Sequence, residues 1–385
     1  MKSVKEWYDN QKNTCTCENK HYPLSTDTFV IKNGALHELR SYLHDNNYRN
    51  VLLVFDEQTE RAAGKRVEAL LAESDFRVKI SLVPADEQGD VIADEVSLIH
   101  AQVDTDKETE VLIAVGAGTI HDITRFVSYK MGLPFISVPT APSVDGFNSM
   151  GAPIVLRKKK ITFQTHAPIA LFAELAILCE APQSMVAAGF GDMLGKYTSI
   201  ADWKFGRLTG GEPYCQAAAN MTMEALNTCI ECIDQIGRRD EEGIKQLMTA
   251  LIQSGLAMSL FGHSHPASGG EHHLSHFWEM KFLQEQRKQL LHGEKVGVSA
   301  SLIADFYKNE VAAVLREDTQ MDQVGVTEIL NGIPEGDAMR GYLRTVGGKT
   351  TLDELGVEEN LFNDSLKEAH QIRNRRTMLR YMNEK

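Results

Sequence analysis

Between residues 27 and 180 short apolar runs alternate with stretches of helical spacing, and beyond residue 180 that alternation stops. The runs TFVI (28–31), VLLVF (51–55), VKISLV (78–83), VLIAV (111–115) and PFISV (134–138) are rich in Val and Ile. They are too short for helices and read as buried strands. LHELRSYLHDNN, RAAGKRVEALLAES and ADEVSLIHAQVD lie between them with helical periodicity. Alternating strands and helices predict a parallel sheet covered on both faces. APIVLRKKKITFQT (152–165) reads as a hairpin whose turn, Arg157 to Lys160, is the densest basic run in the chain. Later segments such as MVAAGFGDMLGKYTSIADWKFG and EEGIKQLMTALIQSGLAMSLFG are long and helix-periodic. The expected organisation is an α/β domain over 1–180 and an all-helical domain over 181–385. With no low-complexity linker, the two should pack around a cleft, where ligands usually bind.

Composition narrows the function. Lys and Arg total 40 against 53 Asp and Glu, a formal net charge of −13. Such a field disfavours nucleic acid and anionic membranes, so an anionic substrate needs local positive charge. No apolar run reaches the roughly 18 residues of a membrane helix, and MKSVKEWYDNQK has no apolar signal core. The expectation is a cytoplasmic protein with no membrane insertion. Six cysteines are too few for a disulfide scaffold. Cys15, Cys17 and His21 form C-x-C-x3-H, three soft ligands without a fourth, and Cys229 and Cys232 form a lone C-x-x-C in a helical stretch. Free thiols in a reducing compartment are the plain reading of both.

VLIAVGAGTIHDITRFV places Gly116 and Gly118 between a strand and a helix, where phosphate can approach backbone N–H groups. A full G-x-G-x-x-G would need glycine at His121. Asp122 lies in the first helical turn. Asp56, after VLLVF, is placed to meet a ribose or simply to cap the next helix. The loop VPTAPSVDGFNSMG (138–151) offers Thr140, Ser143 and Ser149 to a cofactor and Asp145 to a substrate. Asp145 would otherwise make an Asx turn.

Of 13 histidines, six fall within 263–292: His263, His265, His272, His273, His276 and His292. His272 and His276 share a helical face at i, i+4. Imidazole suits Zn, Ni and Fe(II), and a carboxylate would complete a three-ligand site with an open position. Asp192 is the attractive carboxylate, set in an apolar segment where an unpaired charge is costly. Lys196, at i+4, is its ordinary partner.

GAGTIHD (116–122), PTAPSVDG (139–146), Gly191-Asp192, Glu271-His272 and LHGEKV (291–296) occur in that order. The combination resembles the iron-dependent alcohol dehydrogenase and dehydroquinate synthase superfamily over about residues 25–380. PASGGEHHLSH (266–276) and GDMLGKYT (191–198) look most like its bacterial glycerol-1-phosphate dehydrogenases. The resemblance implies a Rossmann-like N-terminal domain and a helical C-terminal domain, with metal and cofactor between them. It implies Asp192, His272 and His292 as metal ligands, and His276 and Asp145 at the substrate. It also places Asp56, Gly116 to Ile120, Thr140, Ala141, Ser143 and Ser149 along a nicotinamide cofactor. Asp122 joins the cofactor group and Lys196 the catalytic group. The implied reaction is the reversible, NAD(P)-dependent reduction of dihydroxyacetone phosphate to sn-glycerol 1-phosphate, a phospholipid precursor, by a Zn, Ni or Fe(II) homodimer. NAD is favoured over NADP, because Asp56 at a ribose would repel the extra phosphate.

The chain departs from this pattern at Ala117, where many relatives have Gly, and at Arg125, where many have Lys. It has His265 where many have Arg, which leaves Lys196, Lys158 to Lys160 and a charged His265 as phosphate handles. Rival readings are a polyol (glycerol) dehydrogenase, a dehydroquinate synthase-like lyase and a non-catalytic cofactor sensor. The lyases usually carry glutamate where this chain has Asp192.

Overall fold

Six parallel strands form one sheet in the order β1-β8-β5-β4-β2-β3. This is seen in a computed structural model describing residues 4–73 and 75–384. The strands are β1 (Thr28–Lys32), β2 (Asn50–Phe55), β3 (Arg77–Leu82), β4 (Val111–Gly116), β5 (Phe135–Pro139) and β8 (Ala170–Glu174). β6 (Gly151–Leu156) and β7 (Lys159–Gln164) form the separate antiparallel hairpin. The residues of its turn, Arg157 and Lys158, have positive φ, as a tight two-residue hairpin turn requires.

The central strands are buried on both faces, which is why they read as unbroken apolar runs. Val51, Leu53 and Phe55 of β2 pack with Leu36, Leu39, Val67 and Leu71 of α2 (Ala35–Asp45) and α4 (Lys65–Ala72). Leu52 and Val54 face the other way, towards Leu98 of α5 (Glu95–Asp104) and Ile120 and Ile123 of α6 (Gly118–Met131). Short α3 (Glu57–Thr59) runs through a π turn into α4. The chain from β2 crosses to β3 on one side, and from β4 it crosses to β5 on the other. The carboxyl ends of β2 and β4 therefore flank the point where the winding reverses, the usual ligand crevice of such sheets.

β8 is a strand the sequence reading lacked. ALFAE runs directly into α7 (Leu175–Glu180), and the joined Ala- and Leu-rich stretch has the composition of a helix. Pairing with both β1 and β5 makes it a strand.

From Ala181 onward every regular element is helical. The elements that matter for the site are α8 (Gln183–Leu194), α9 (Lys196–Gly210), α10 (Gln216–Glu231), α12 (Glu241–Phe261), α13 (Gly270–Gln284) and α14 (His292–Phe306), with short α11 (Ile233–Arg238) between α10 and α12. Leu226, Leu251, Trp278 and Ile303 lie in their shared core. Helix α1 (Val4–Thr14) packs here as well: Tyr8 is fully buried in this core, and its hydroxyl donates to the Tyr22 carbonyl at 2.9 Å. The Tyr22 N–H in turn donates to Leu260 O at 3.3 Å. Residues 4 to about 22 thus lie on the helical half, although they precede the sheet.

Candidate active site

Helices α8 and α14 touch backbone to backbone. A Cβ on Gly191 would sit 2.3 Å from Gly293 O, and one on Gly293 only 1.8 Å from Ala188 O. Only glycine permits this approach, and it brings Asp192 on α8 beside His292, the first residue of α14. His272, in the first turn of α13, completes the group. The ligand atoms of Asp192, His272 and His292 lie within 4.8 Å of one another.

The surroundings prepare these groups for a cation. Glu271 Oε1 lies 2.7 Å from His272 Nδ1, so that nitrogen donates and Nε2 keeps its lone pair towards Asp192 Oδ1, 3.7 Å away. Glu271 is itself fixed by the Thr198 hydroxyl and the Gly269 N–H, each at 2.7 Å. Burial opposes its charge, but these bonds and His272 hold its carboxyl below the ordinary range. Asp202 anchors the start of α13 by accepting the Gly270 N–H at 2.7 Å. Asp192 is fully buried and accepts the Asp145 N–H at 2.9 Å. Lys196 spans Asp145 (2.8 Å) and Asp192 (3.0 Å), so one cation is shared between two carboxyl groups. Burial first, then His272, pushes His292 well below the ordinary histidine range, so it stays neutral. One carboxylate and two imidazoles fit a divalent transition ion.

A second set, His276, Glu279 and His292, is equally close. Its carboxylate is already taken: Lys160 reaches Glu279 at 2.7 and 2.8 Å, and Lys295 at 3.2 Å. His276 Nε2 lies 3.3 Å from an Arg373 nitrogen, which can only donate, so Nε2 accepts and Nδ1 faces Glu279 at 3.4 Å.

Opposite lies the sheet edge. Ala117, Gly118 and Thr119 at the start of α6 line the same cavity of about 360 Å³ as Ser143, Asp145, Ser149, His272, His276 and His292. A Cβ at Gly118 would press on Val144 at 3.0 Å, and one at Gly116 would collide with Ile120 at 2.7 Å. Gly116 and Ile120 therefore shape the turn from within, and neither lines the cavity. Thr140 and Ala141 are buried below it, with the Thr140 N–H donating to Gly116 O at 3.1 Å. Asp122 faces the cavity and pairs with Arg125 at 2.7 Å. Burial raises its carboxyl to about 7 even against the Arg125 charge. Arg125 is fully buried and donates to the carbonyls of Gly146, Phe147 and Gly151, which ties the 138–151 loop in place. A lysine could not make all these bonds. Asp56 caps α3, its Oδ1 accepting the N–H groups of Gln58 (2.9 Å) and Thr59 (2.8 Å). It stands at the β2 end, next to the glycine turn at the β4 end.

Four of the expected positive groups are placed otherwise. Lys196 is consumed by its two carboxylates and does not line the cavity. His265 is kept neutral, pushed down to about 2 by burial and then by Arg375. Lys158 and Lys159 are exposed at the hairpin tip, and of that run Lys160 alone lines the cleft.

A family model described as iron-containing alcohol dehydrogenase matches residues 30–182. The chain is 49% identical over 371 residues to a glycerol-1-phosphate dehydrogenase [NAD(P)+] of Bacillus licheniformis, covering 96% of this chain and 92% of that one. It is 46% identical to the enzyme of that name from Geobacillus stearothermophilus, covering 96% and 95%. The chain belongs to the glycerol-1-phosphate dehydrogenase family. The architecture of this glycerol-1-phosphate dehydrogenase family member also matches glycerol dehydrogenase from Schizosaccharomyces pombe. The TM-score is 0.70 at 18% identity, covering 96% and 88%, a likeness of fold alone.

Three groups of this glycerol-1-phosphate dehydrogenase family member went unread in its sequence, Glu279, Lys295 and Arg373, and Glu271 was read only as part of the Glu271-His272 pair, without its role behind the imidazole. Glu279 carried a signal, since it follows His276 at i+3 on one helix. Arg373 lies in an irregular stretch, 372–377, among several arginines, where spacing says nothing about which one turns inward.

Proposed function

We propose that the cleft reversibly reduces dihydroxyacetone phosphate to sn-glycerol 1-phosphate with NAD(P)H. The supporting observation is that His272 and His292 line one cavity with the glycine turn of α6, while the buried Asp192 carboxylate lies within 4.8 Å of both imidazoles. When bound, a divalent ion there supplies Lewis-acid polarisation of the C2 oxygen and the nicotinamide supplies hydride. Gly118 and Thr119 present helix N–H groups to the cofactor phosphates. Ser143 and Ser149 lie along the cofactor, and Asp56 meets its ribose from the neighbouring strand, favouring NAD. Asp145, oriented by Ser254 at 2.8 Å, positions a substrate hydroxyl. His276, neutral and backed by Glu279, relays the proton between the C2 oxygen and solvent. Lys196 holds Asp145 and Asp192 in register.

Arg373 anchors the substrate phosphate. It lines the cavity and donates to the hydroxyls of Ser264 (3.1 Å) and Ser268 (3.0 Å). Among the described residues no carboxylate lies within ion-pair distance of it. A half-buried guanidinium without a carboxylate is a natural partner for phosphate. Lys160 and Lys295, beside it, lend positive charge against the overall field.

We place the enzyme in the cytoplasm as a homodimer. No helix among the described residues is long and apolar enough to cross a membrane. Val96, Ile99 and Val103, exposed at 69%, 57% and 77%, form a stripe on α5 suited to a second copy. The deciding experiment is NADH oxidation by chelator-stripped protein with Zn, Ni or Fe(II) restored separately. Metal-dependent oxidation with dihydroxyacetone phosphate, much weaker with dihydroxyacetone, is expected. Arg373→Ala should raise KM for the phosphorylated substrate at least tenfold and leave that for dihydroxyacetone in place. No oxidation with any metal, despite cofactor binding, would overturn the reading.

A further inference from the structure

Away from the cleft, three cysteines and a histidine converge on the helical half. Cys15 and Cys17 follow α1, His21 comes four residues later, and Cys215 immediately precedes α10. The C-x-C-x3-H motif lacks a fourth ligand in sequence, and the fold brings one from 200 residues away. Cys15 Sγ lies 3.4 Å from Cys17 Sγ and 3.6 Å from Cys215 Sγ. His21 Nε2 lies 3.3 Å from Cys17 Sγ and 3.4 Å from Cys215 Sγ. All four atoms fall within 4.8 Å of one another.

These separations are those of a tetrahedron. Zinc with Zn–S of about 2.3 Å and Zn–N of about 2.0 Å sets its ligands roughly 3.5–3.8 Å apart. They are far too long for a disulfide, whose sulfurs sit about 2.05 Å apart. As neutral thiols the three cysteines gain only weak hydrogen bonds from such crowding. Cys215 Sγ also accepts the Ala218 N–H at 3.4 Å, which fixes the sulfur at the start of a 16-residue helix. The other C-x-x-C shows the contrast. Cys229 is buried in the core of α10, and Cys229 and Cys232 join no metal-ligating group among the described residues.

We propose that Cys15, Cys17, His21 and Cys215 bind one zinc ion in a closed site that fastens the N-terminal arm to α10. Three sulfurs and one imidazole fill all four positions, so the ion has no opening for water or substrate and its role is structural. None of the four residues lines the cleft, so the site is independent of the reaction proposed there. Binding releases the thiol protons to solvent.

The test vacates the cleft first. Full-length protein carrying His272→Ala and His292→Ala, dialysed and analysed for metal by mass spectrometry, should retain one zinc per chain. Adding Cys17→Ser or Cys215→Ser should reduce this to background. Growth with cobalt in place of zinc should give the sulfur-to-cobalt charge-transfer band and strong visible absorption of tetrahedral thiolate Co(II). This reading stands even if the cysteine variants fail to fold. Absence of zinc from the cleft-vacated protein, retention of zinc after the cysteine substitutions, or a Cys15–Cys215 disulfide in intact-mass analysis would each overturn the proposal.

Discussion

His272 shows how much of a site can rest on a neighbouring residue. Its ring is turned by Glu271, whose two oxygens are saturated by His272, Thr198 and Gly269. Glu271→Gln keeps the shape and removes the charge behind the imidazole. Loss of such a partner typically costs about 10- to 100-fold in metal affinity, and we expect that weakening in a competitive chelator titration. Unchanged affinity would remove Glu271 from the metal's support. His121 makes a different prediction. It is fully buried between the Ala117 carbonyl (2.9 Å) and the Ser137 hydroxyl (2.7 Å). Burial pushes it down to about 3. Its folded value lies below the unfolded one of about 6.5, so the unfolded chain takes up the proton first. The stability tied to its neutral form is complete above about pH 6.5 and is lost as pH falls from there towards 3. Tm should therefore fall less steeply over that range in His121→Gln than in the unaltered protein. Parallel curves would refute this.

At the scale of elements, the decisive contact is between α8 and α14. Gly191→Ala would drive a methyl group into the Gly293 carbonyl, and overpacking of this kind costs about 1–3 kcal/mol. We expect a lower Tm together with weaker metal binding, because Asp192 and His292 would move apart. A lower Tm with metal affinity intact would mean that the spacing of the two helices does not set the site. The sequence carried the residues of this contact but not the contact itself. Gly191-Asp192 and LHGEKV were legible as motifs, whereas their meeting depends on two helices about a hundred residues apart. Strands read well where Val and Ile dominate, as in β2 and β4. β8 was hidden because Ala, Leu and Glu favour helix and only its neighbours on either side make it a strand. Cys215 was hidden for a related reason: one cysteine before a helix carries no pattern until the arm folds back onto it.

Across the whole molecule, the proposed ligands to the metal come from α8, α13 and α14 alone, and the proposed cofactor contacts come from the sheet half. A bound ion should therefore stabilise the helical half directly. At a thousandfold excess over Kd, binding adds about 4 kcal/mol. Stripping the cleft metal should lower Tm by several degrees, and restoring a divalent ion should recover it. No shift would mean that the ion does not bind the folded cleft tightly. The switch from strands to helices was legible from the change in texture near residue 180. The placement of α1 was not, because an amphipathic helix at the start of a chain could cover either half.

The arm also sets an order of events during synthesis. Cys15, Cys17 and Tyr22 leave the ribosome well before Cys215 and the Leu260 carbonyl that this arm meets, which are made 200 or more residues later. At about 5–20 residues per second, that interval is roughly 10–40 seconds. During it the sheet half can assemble while Trp7, Tyr8 and three metal-seeking side chains wait uncovered. The arm is translated long before the helices that receive it, so the nascent chain spends that time dependent on whatever shields these side chains.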